Sequence, residues 1–273
     1  MRELQAQIIA ELGVRPHIDP REEIERRVSF LDGYLSATGA AGYVLGISGG
    51  QDSSLAGSLC QRAVERRRAR GDAAEFLAVR LPYAVQNDEA DALLALEFIA
   101  PDRAVTFNIE QSVNGVVDEY ARATGERISD FNKGNVKARA RMVAQYALAG
   151  ADGRLVVGTD HAAEALTGFY TKFGDGAADV IPLSGLTKRQ GASMLRALNA
   201  PPRLYEKIPT ADLLDDEPGQ SDEANLGLSY ADIDDYLEGV EISHETAERI
   251  ESAFMRSRHK RTVPVGPADT WWR

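Results

Sequence analysis

Between residues 46 and 54 the chain reads Gly-Ile-Ser-Gly-Gly-Gln-Asp-Ser-Ser. Glycines let a backbone turn sharply and aim several N–H groups at one point, and a helix starting at the end of such a turn adds the positive end of its dipole. The hydroxyls of Ser48, Ser53 and Ser54 add further donors. Gly46, Ile47, Ser48, Gly49, Gly50, Gln51, Asp52 and Ser53 are therefore candidates for holding phosphate. The run is not a Walker A loop, which needs a lysine directly after its last glycine; an acid, Asp52, stands nearby instead. A carboxylate beside phosphate is repelled unless a cation sits between them. Asp52 is thus either a ligand for Mg²⁺, shared with phosphate oxygens, or a plain helix N-cap.

The elements that must hold this loop follow from hydrophobic spacing. Leu4, Ile8, Ile9 and Leu12 recur at helical spacing up to Gly13, and Asp19-Pro20 caps a second helix running to about Thr38-Gly39. Tyr43–Ile47, Phe76–Val79, Ala104–Phe107 and Leu155–Gly158 are short apolar runs that read as strands. Helices are expected between them over Asp52–Arg68, Asn87–Ala100, Ser112–Ala123 and Asn135–Ala149, and later over Asp232–Leu237 and Ser243–Arg258. Strands apolar on both faces and alternating with helices predict an α/β fold: a parallel sheet covered by helices on both sides, in three α/β/α layers. Ligands in such sheets bind at the carboxyl ends of strands, where this chain keeps its glycines and polar residues. Residues 209–224, rich in Asp, Glu, Pro and Gly and without apolar periodicity, are expected to form a mobile loop.

Bulk properties narrow the function classes. A net charge of −11 disfavours nucleic acid and anionic membrane surfaces as partners. The acids Asp212, Asp215, Asp216, Glu217, Asp222 and Glu223, and then Asp232, Asp234, Asp235, Glu238 and Glu241, read as solvated, mutually repelling surface. A single cysteine, Cys60, makes no internal disulfide, and its apolar helical neighbours suggest burial; with no apolar leader or membrane-length run, a cytoplasmic location is expected.

Ser48-Gly49-Gly50-Gln51-Asp52-Ser53 resembles the pyrophosphatase loop of enzymes that cleave ATP between its α and β phosphates. Within that group, Val79–Tyr83, Gly134–Met142, Gly158–Glu164, Thr171–Gly176, Leu186–Gly191, Pro209–Leu213, Ile233–Gly239 and His259–Arg261 together resemble ammonia-dependent NAD synthetases, essentially end to end. The resemblance implies one adenine nucleotide alpha hydrolase-like domain over residues 1–273. It also implies a reaction, the last step of NAD biosynthesis. ATP adenylates the nicotinate carboxylate of deamido-NAD, and ammonia then displaces AMP to give NAD, with AMP and pyrophosphate as co-products.

Site residues follow by the same resemblance. ATP would meet the loop together with Arg80, Gln86, Thr159, Lys188 and Thr210; Mg²⁺ would lie on Asp52 and Glu164. Deamido-NAD would meet Arg139, Lys172, Asp179, His259 and Lys260, and a homodimer is implied. Asp52, Lys188 and Asp175 form the expected catalytic set, Lys188 following charge on the phosphates and Asp175 binding ammonium and accepting its proton. From the residues alone, plainer readings stand beside these: Glu164 as a surface glutamate, Thr159 as a helix cap, Lys188 as a solvated lysine and Asp175 as a turn aspartate. Two other functions remain open at this level. One is amidation or thiolation of a different acceptor by the same loop; the other is a sensor that binds ATP without turnover.

Overall fold

Asp19 accepts the N–H groups of Arg21 and Glu22, and Pro20 takes the first helical position, so the second helix starts where the sequence predicts. In the computed structural model, which describes residues 2–84, 89–207, 215, 221–262 and 264–272, this helix, α2 (Pro20–Thr38), follows α1 (Glu3–Glu11). Next come β1 (Gly42–Gly46), α3 (Gln51–Ala69), β2 (Glu75–Arg80), α4 (Glu89–Ile99), β3 (Arg103–Thr106), α5 (Glu110–Thr124), α6 (Asp130–Asp152) and β4 (Leu155–Val156). The carboxyl-terminal part carries α7 (Ala162–Thr167), α8 (Lys188–Ala197), α9 (Arg203–Glu206), α10 (Asp222–Leu226), α11 (Tyr230–Leu237), α12 (His244–Arg256) and α13 (Arg258–Arg261).

The four strands are parallel in the order β3-β2-β1-β4, with Tyr43 opposite Phe76 and Val44 opposite Val156. Side chains alternate across the sheet, so each face gains its own core. Tyr43, Leu45, Phe76 and Ala78 pack with residues of α2, α3 and α8, while Val44, Leu77, Val79 and Val156 pack against α6. A third cluster joins Ile8, Leu166, Ile233, Tyr236, Ile250 and Phe254 from α1, α7, α11 and α12. Cys60 is buried in the first of these cores.

Three expectations change. Among the described residues β3 is an edge strand bonded to β2 alone, and Arg103, Ala104 and Thr106 are exposed, so it is not covered on both faces. The fourth strand is shorter than its apolar run: Val157 still donates its N–H to the Val44 carbonyl of β1 at 2.9 Å, but it continues as an isolated bridge to Val180 and not as ladder. The stretch 209–224 is not loop throughout: Ser221 accepts the Ala224 N–H and opens α10, which a five-residue helix without apolar period does not announce. Of the rest of that stretch, 209–214 and 216–220 lie outside the described residues, whereas Asp215 pairs with Lys133 at 2.5 Å and with Lys137.

Candidate active site

Strand order reverses beside β1: the chain leaves it through α3 on one face and returns to β4 from α6 on the other. Helices departing to opposite faces open a crevice at the carboxyl ends of β1 and β4. The loop after β1 forms one wall. Gly49 has φ +86°, and a Cβ there would stand 2.5 Å from backbone atoms of Asp91 and Ala92, so only glycine lets the loop pass α4. The Ser48 and Ser53 hydroxyls lie 3.1 Å apart, and the Ser48 N–H donates to Ser53 Oγ at 3.3 Å. The cap of α3 is Gly50, which offers its first turn no side-chain acceptor and suits an incoming anion. Asp52 is the second residue of α3 and therefore not its N-cap.

The other wall follows β4. There the donor atoms of Asp52, His161 and Glu164 all lie within 4.8 Å of one another, with His161 Nε2 3.8 Å from Asp52 and 3.6 Å from Glu164. Lys188 Nζ meets Asp52 Oδ2 at 2.7 Å and lies 5.0 Å from the centre of the Tyr230 ring. Lys188 is buried, so the solvated-lysine reading fails. Glu164 is only half-buried in the first turn of α7, whose cap is His161 and not Thr159.

Electrostatics divide the group. Burial opposes ionisation of Asp52, but the Lys188 ammonium outweighs it and holds the carboxyl below its ordinary range. Burial, and then the Asp52 charge, push the Glu164 carboxyl well up. Two carboxylates this close, one reluctant to ionise, fit a shared divalent cation. Burial drives His161 down to about 4, so its ring is neutral. Asp160 is raised to about 7 by burial and then by the charges of Asp175 and Asp52.

Lys188 is held in place by its backbone. As the first residue of α8 it donates its N–H to buried Asp234 at 3.0 Å; Arg189 donates to the same carboxylate at 2.8 Å, and Thr187 takes the Gln190 N–H. The Lys188 carbonyl accepts from Gln51 of the phosphate loop at 2.9 Å. Asp234→Ala is expected to lower stability by about 1–2 kcal/mol by leaving two first-turn N–H groups without that acceptor; urea unfolding with a lower midpoint at unchanged slope checks it.

The remaining predicted residues fall into two groups. Arg139 donates to the Lys172 carbonyl at 3.2 Å, Lys172 Nζ to the His259 carbonyl, and Lys260 Nζ to Gly168 and Tyr170, so these four share one region. Asp175 joins them by accepting the Thr171 N–H at 2.9 Å, and turn geometry is thus part of its role. Burial of the carboxyl group raises Asp175 against the opposing Thr171 N–H and Lys260 charge, although the residue as a whole reaches solvent. Asp179 instead accepts the Val156 N–H at 2.7 Å and the Tyr146 hydroxyl at 3.3 Å. Arg80 pairs with Glu89 at 2.8 Å, and half-buried Thr159 follows Val157 at the sheet end. Gln86 and Thr210 lie outside the described residues.

Sequence reading missed His161 and Asp160, although both lie in the same short motif as Glu164. It also misread buried Asp222 and Asp234 as solvated acids. Asp222 accepts from the Tyr230 hydroxyl at 3.3 Å, and no local signal distinguishes either acid from its exposed neighbours.

A family model described as NAD synthase matches residues 23–264. A protein of Leifsonia xyli subsp. xyli named NH(3)-dependent NAD(+) synthetase is 64% identical over 272 residues, covering 100% of this chain and 98% of its own. The solved structure of NAD+ synthetase from Burkholderia pseudomallei superposes with a TM-score of 0.83 at 46% identity, covering 95% of this chain and 96% of the other. That of NMN synthetase from Francisella tularensis gives 0.81 at 34%, covering 93% and 100%. Fold and crevice together define an ATP-using amide-forming ligase of the adenine nucleotide alpha hydrolase-like class. Within that class the chain belongs to the NAD synthase family.

Proposed function

We propose that the chain adenylates the nicotinate carboxylate of deamido-NAD with ATP and that ammonia then displaces AMP, yielding NAD, AMP and pyrophosphate. The observation that carries this reading is the 2.7 Å Lys188–Asp52 pair, which closes the phosphate loop across the crevice between β1 and β4. The loop N–H groups and serine hydroxyls cradle the triphosphate, and Lys188 follows the charge that builds on the leaving pyrophosphate. Asp52 and Glu164 would hold Mg²⁺, which when bound neutralises triphosphate charge. Arg80, Thr159, Gln86 and Thr210 complete the ATP set. Arg139, Lys172, Asp179, His259 and Lys260 receive deamido-NAD, the cations meeting its anionic groups and Asp179 a ribose hydroxyl. Asp175 binds ammonium and takes its proton as nitrogen attacks the acyl carbon and the bond to AMP breaks.

Exposed Phe107, Val116, Phe131 and Val143, from the sheet's α5–α6 side, support a homodimer. No helix among the described residues is long and apolar enough to cross a membrane, which is compatible with the cytoplasm as the site of action. We read residues 1–273 as one domain.

Purified protein with ATP, Mg²⁺, ammonium and deamido-NAD should form NAD, AMP and pyrophosphate in equal amounts, each dependent on every component. AMP and pyrophosphate without NAD would redirect the search to another acceptor; nicotinate mononucleotide, run in parallel, separates a dinucleotide from a mononucleotide acceptor. No ATP cleavage by folded protein would favour an ATP sensor. Asp175→Asn is expected to slow amide formation by roughly 10²-fold while pyrophosphate release in a single turnover persists. Loss of that first step would remove Asp175 from nitrogen transfer.

A further inference from the structure

A cavity of about 350 Å³ is walled in part by Asp160, His161, Tyr170, Gly176, Lys260 and Arg261. Water occupies about 30 Å³ in the liquid, so this space admits a small hydrated ion with room to spare. Exposed Glu11 of α1 contributes to the wall. Inward the cavity adjoins the reaction centre: His161 Nε2 stands 3.6 Å from Glu164 and 3.8 Å from Asp52, and Gly176 directly follows Asp175.

The hydrogen-bonding capacity of the wall selects the occupant. Lys260 Nζ spends two of its three N–H groups on the Gly168 and Tyr170 carbonyls at 2.8 and 2.7 Å. Arg261 donates to Ala165 and Phe254 carbonyls at 3.1 and 2.9 Å and to Ser257 Oγ at 2.8 Å. What is left unspent is acceptor capacity. Asp160 makes no hydrogen bond or ion pair among the described residues. His161 is 2% exposed, and neither of its ring nitrogens has a hydrogen-bond partner among the described residues. Arg261 Nε, which has no hydrogen bond, faces the Glu11 carboxylate at 3.8 Å, and a small cation with several N–H groups would find the unspent acceptors at the Asp160 end of the wall.

We propose that this cavity binds ammonium on its way to the reaction centre, with the Asp160 carboxylate as its anchor. The proposal rests on the amidation reading above and adds a nitrogen subsite separate from Asp175. The neighbouring charges of Asp175 and Asp52 that favour a proton on Asp160 favour any small cation at the same point.

Steady-state kinetics of the full chain test this, with ammonium chloride varied at saturating ATP and deamido-NAD. Asp160→Asn keeps the shape and removes the charge; Ala165→Leu narrows the cavity from a residue that touches no reacting group. Each is expected to raise the KM for ammonium by about tenfold or more, well beyond any change in the KM for ATP. Ala165→Leu should also retain ATP–pyrophosphate exchange in the presence of deamido-NAD without ammonium. An unchanged ammonium KM in both variants overturns the proposal, as does a parallel rise of both KM values. If Asp160→Asn fails to fold, Ala165→Leu decides alone. Failure of the wild type to form NAD refutes the amidation reading itself, whereas normal wild-type turnover with unchanged ammonium KM in the variants refutes only the cavity.

Discussion

Asp52→Ala is expected to lower Mg²⁺-dependent turnover by roughly 10³-fold or more, with pyrophosphate release lost as fully as NAD formation. The size of the effect reflects two losses at once. The substitution removes the carboxylate closest to the end of the phosphate loop, and it removes the 2.7 Å partner that aims Lys188 into the crevice. Stability should suffer less than activity. Glu164 is reluctant to ionise because of burial first and the Asp52 charge second. Once that charge is gone, Glu164 ionises more readily and compensates Lys188, so the buried ammonium is not left without a neighbouring anion. The checks are single-turnover pyrophosphate release across a Mg²⁺ titration and a parallel thermal melt. Folded protein that turns over at a wild-type rate would remove Asp52 from the metal and phosphate chemistry.

Lys188→Ala is expected to slow adenylate formation by roughly 10²–10³-fold. If Lys188 follows charge that grows as pyrophosphate leaves, the loss appears in kcat and kcat/KM together. A rise in KM for ATP at constant kcat would mean that Lys188 binds ground-state phosphate only. Lys188→Arg should rescue poorly, because a planar guanidinium does not replace a compact ammonium facing one carboxylate in a buried position. Breaking a buried pair costs up to about 3–5 kcal/mol; here the cost is reduced if Asp52 and Glu164 share a proton, and urea unfolding of the variant measures the difference.

Both residues stand out as candidates in the sequence, for different reasons. Asp52 follows a glycine-rich turn between an apolar run and a helix, a local pattern that points to phosphate and a cation, with a plain helix cap as the alternative. Lys188 has no comparable local signal; by its neighbours it reads as a solvated lysine, and only the resemblance of its motif singles it out. Burial of Lys188 comes from α11 and the phosphate loop, which Asp234 and Gln51 bring against the start of α8. Asp160 and His161 escaped notice because an acid and a histidine between a strand and a helix are ordinary residues until a cavity is seen against them.

The alternation of short apolar runs with helical spacing, the capped start of α2, the glycine-rich turn after β1 and the family were all readable from residue order. Each depends on contacts within a few residues or on a match of motifs along the chain. Tertiary structure decided the rest. It made β3 an exposed edge, turned one member of each acidic stretch, Asp222 and Asp234, into buried acceptors, and brought Asp52 together with His161, Glu164 and Lys188. Those outcomes depend on groups up to 136 residues apart meeting in one low-dielectric crevice. Ionisation and hydrogen bonding there depend on what surrounds a side chain in space, which local spacing does not encode.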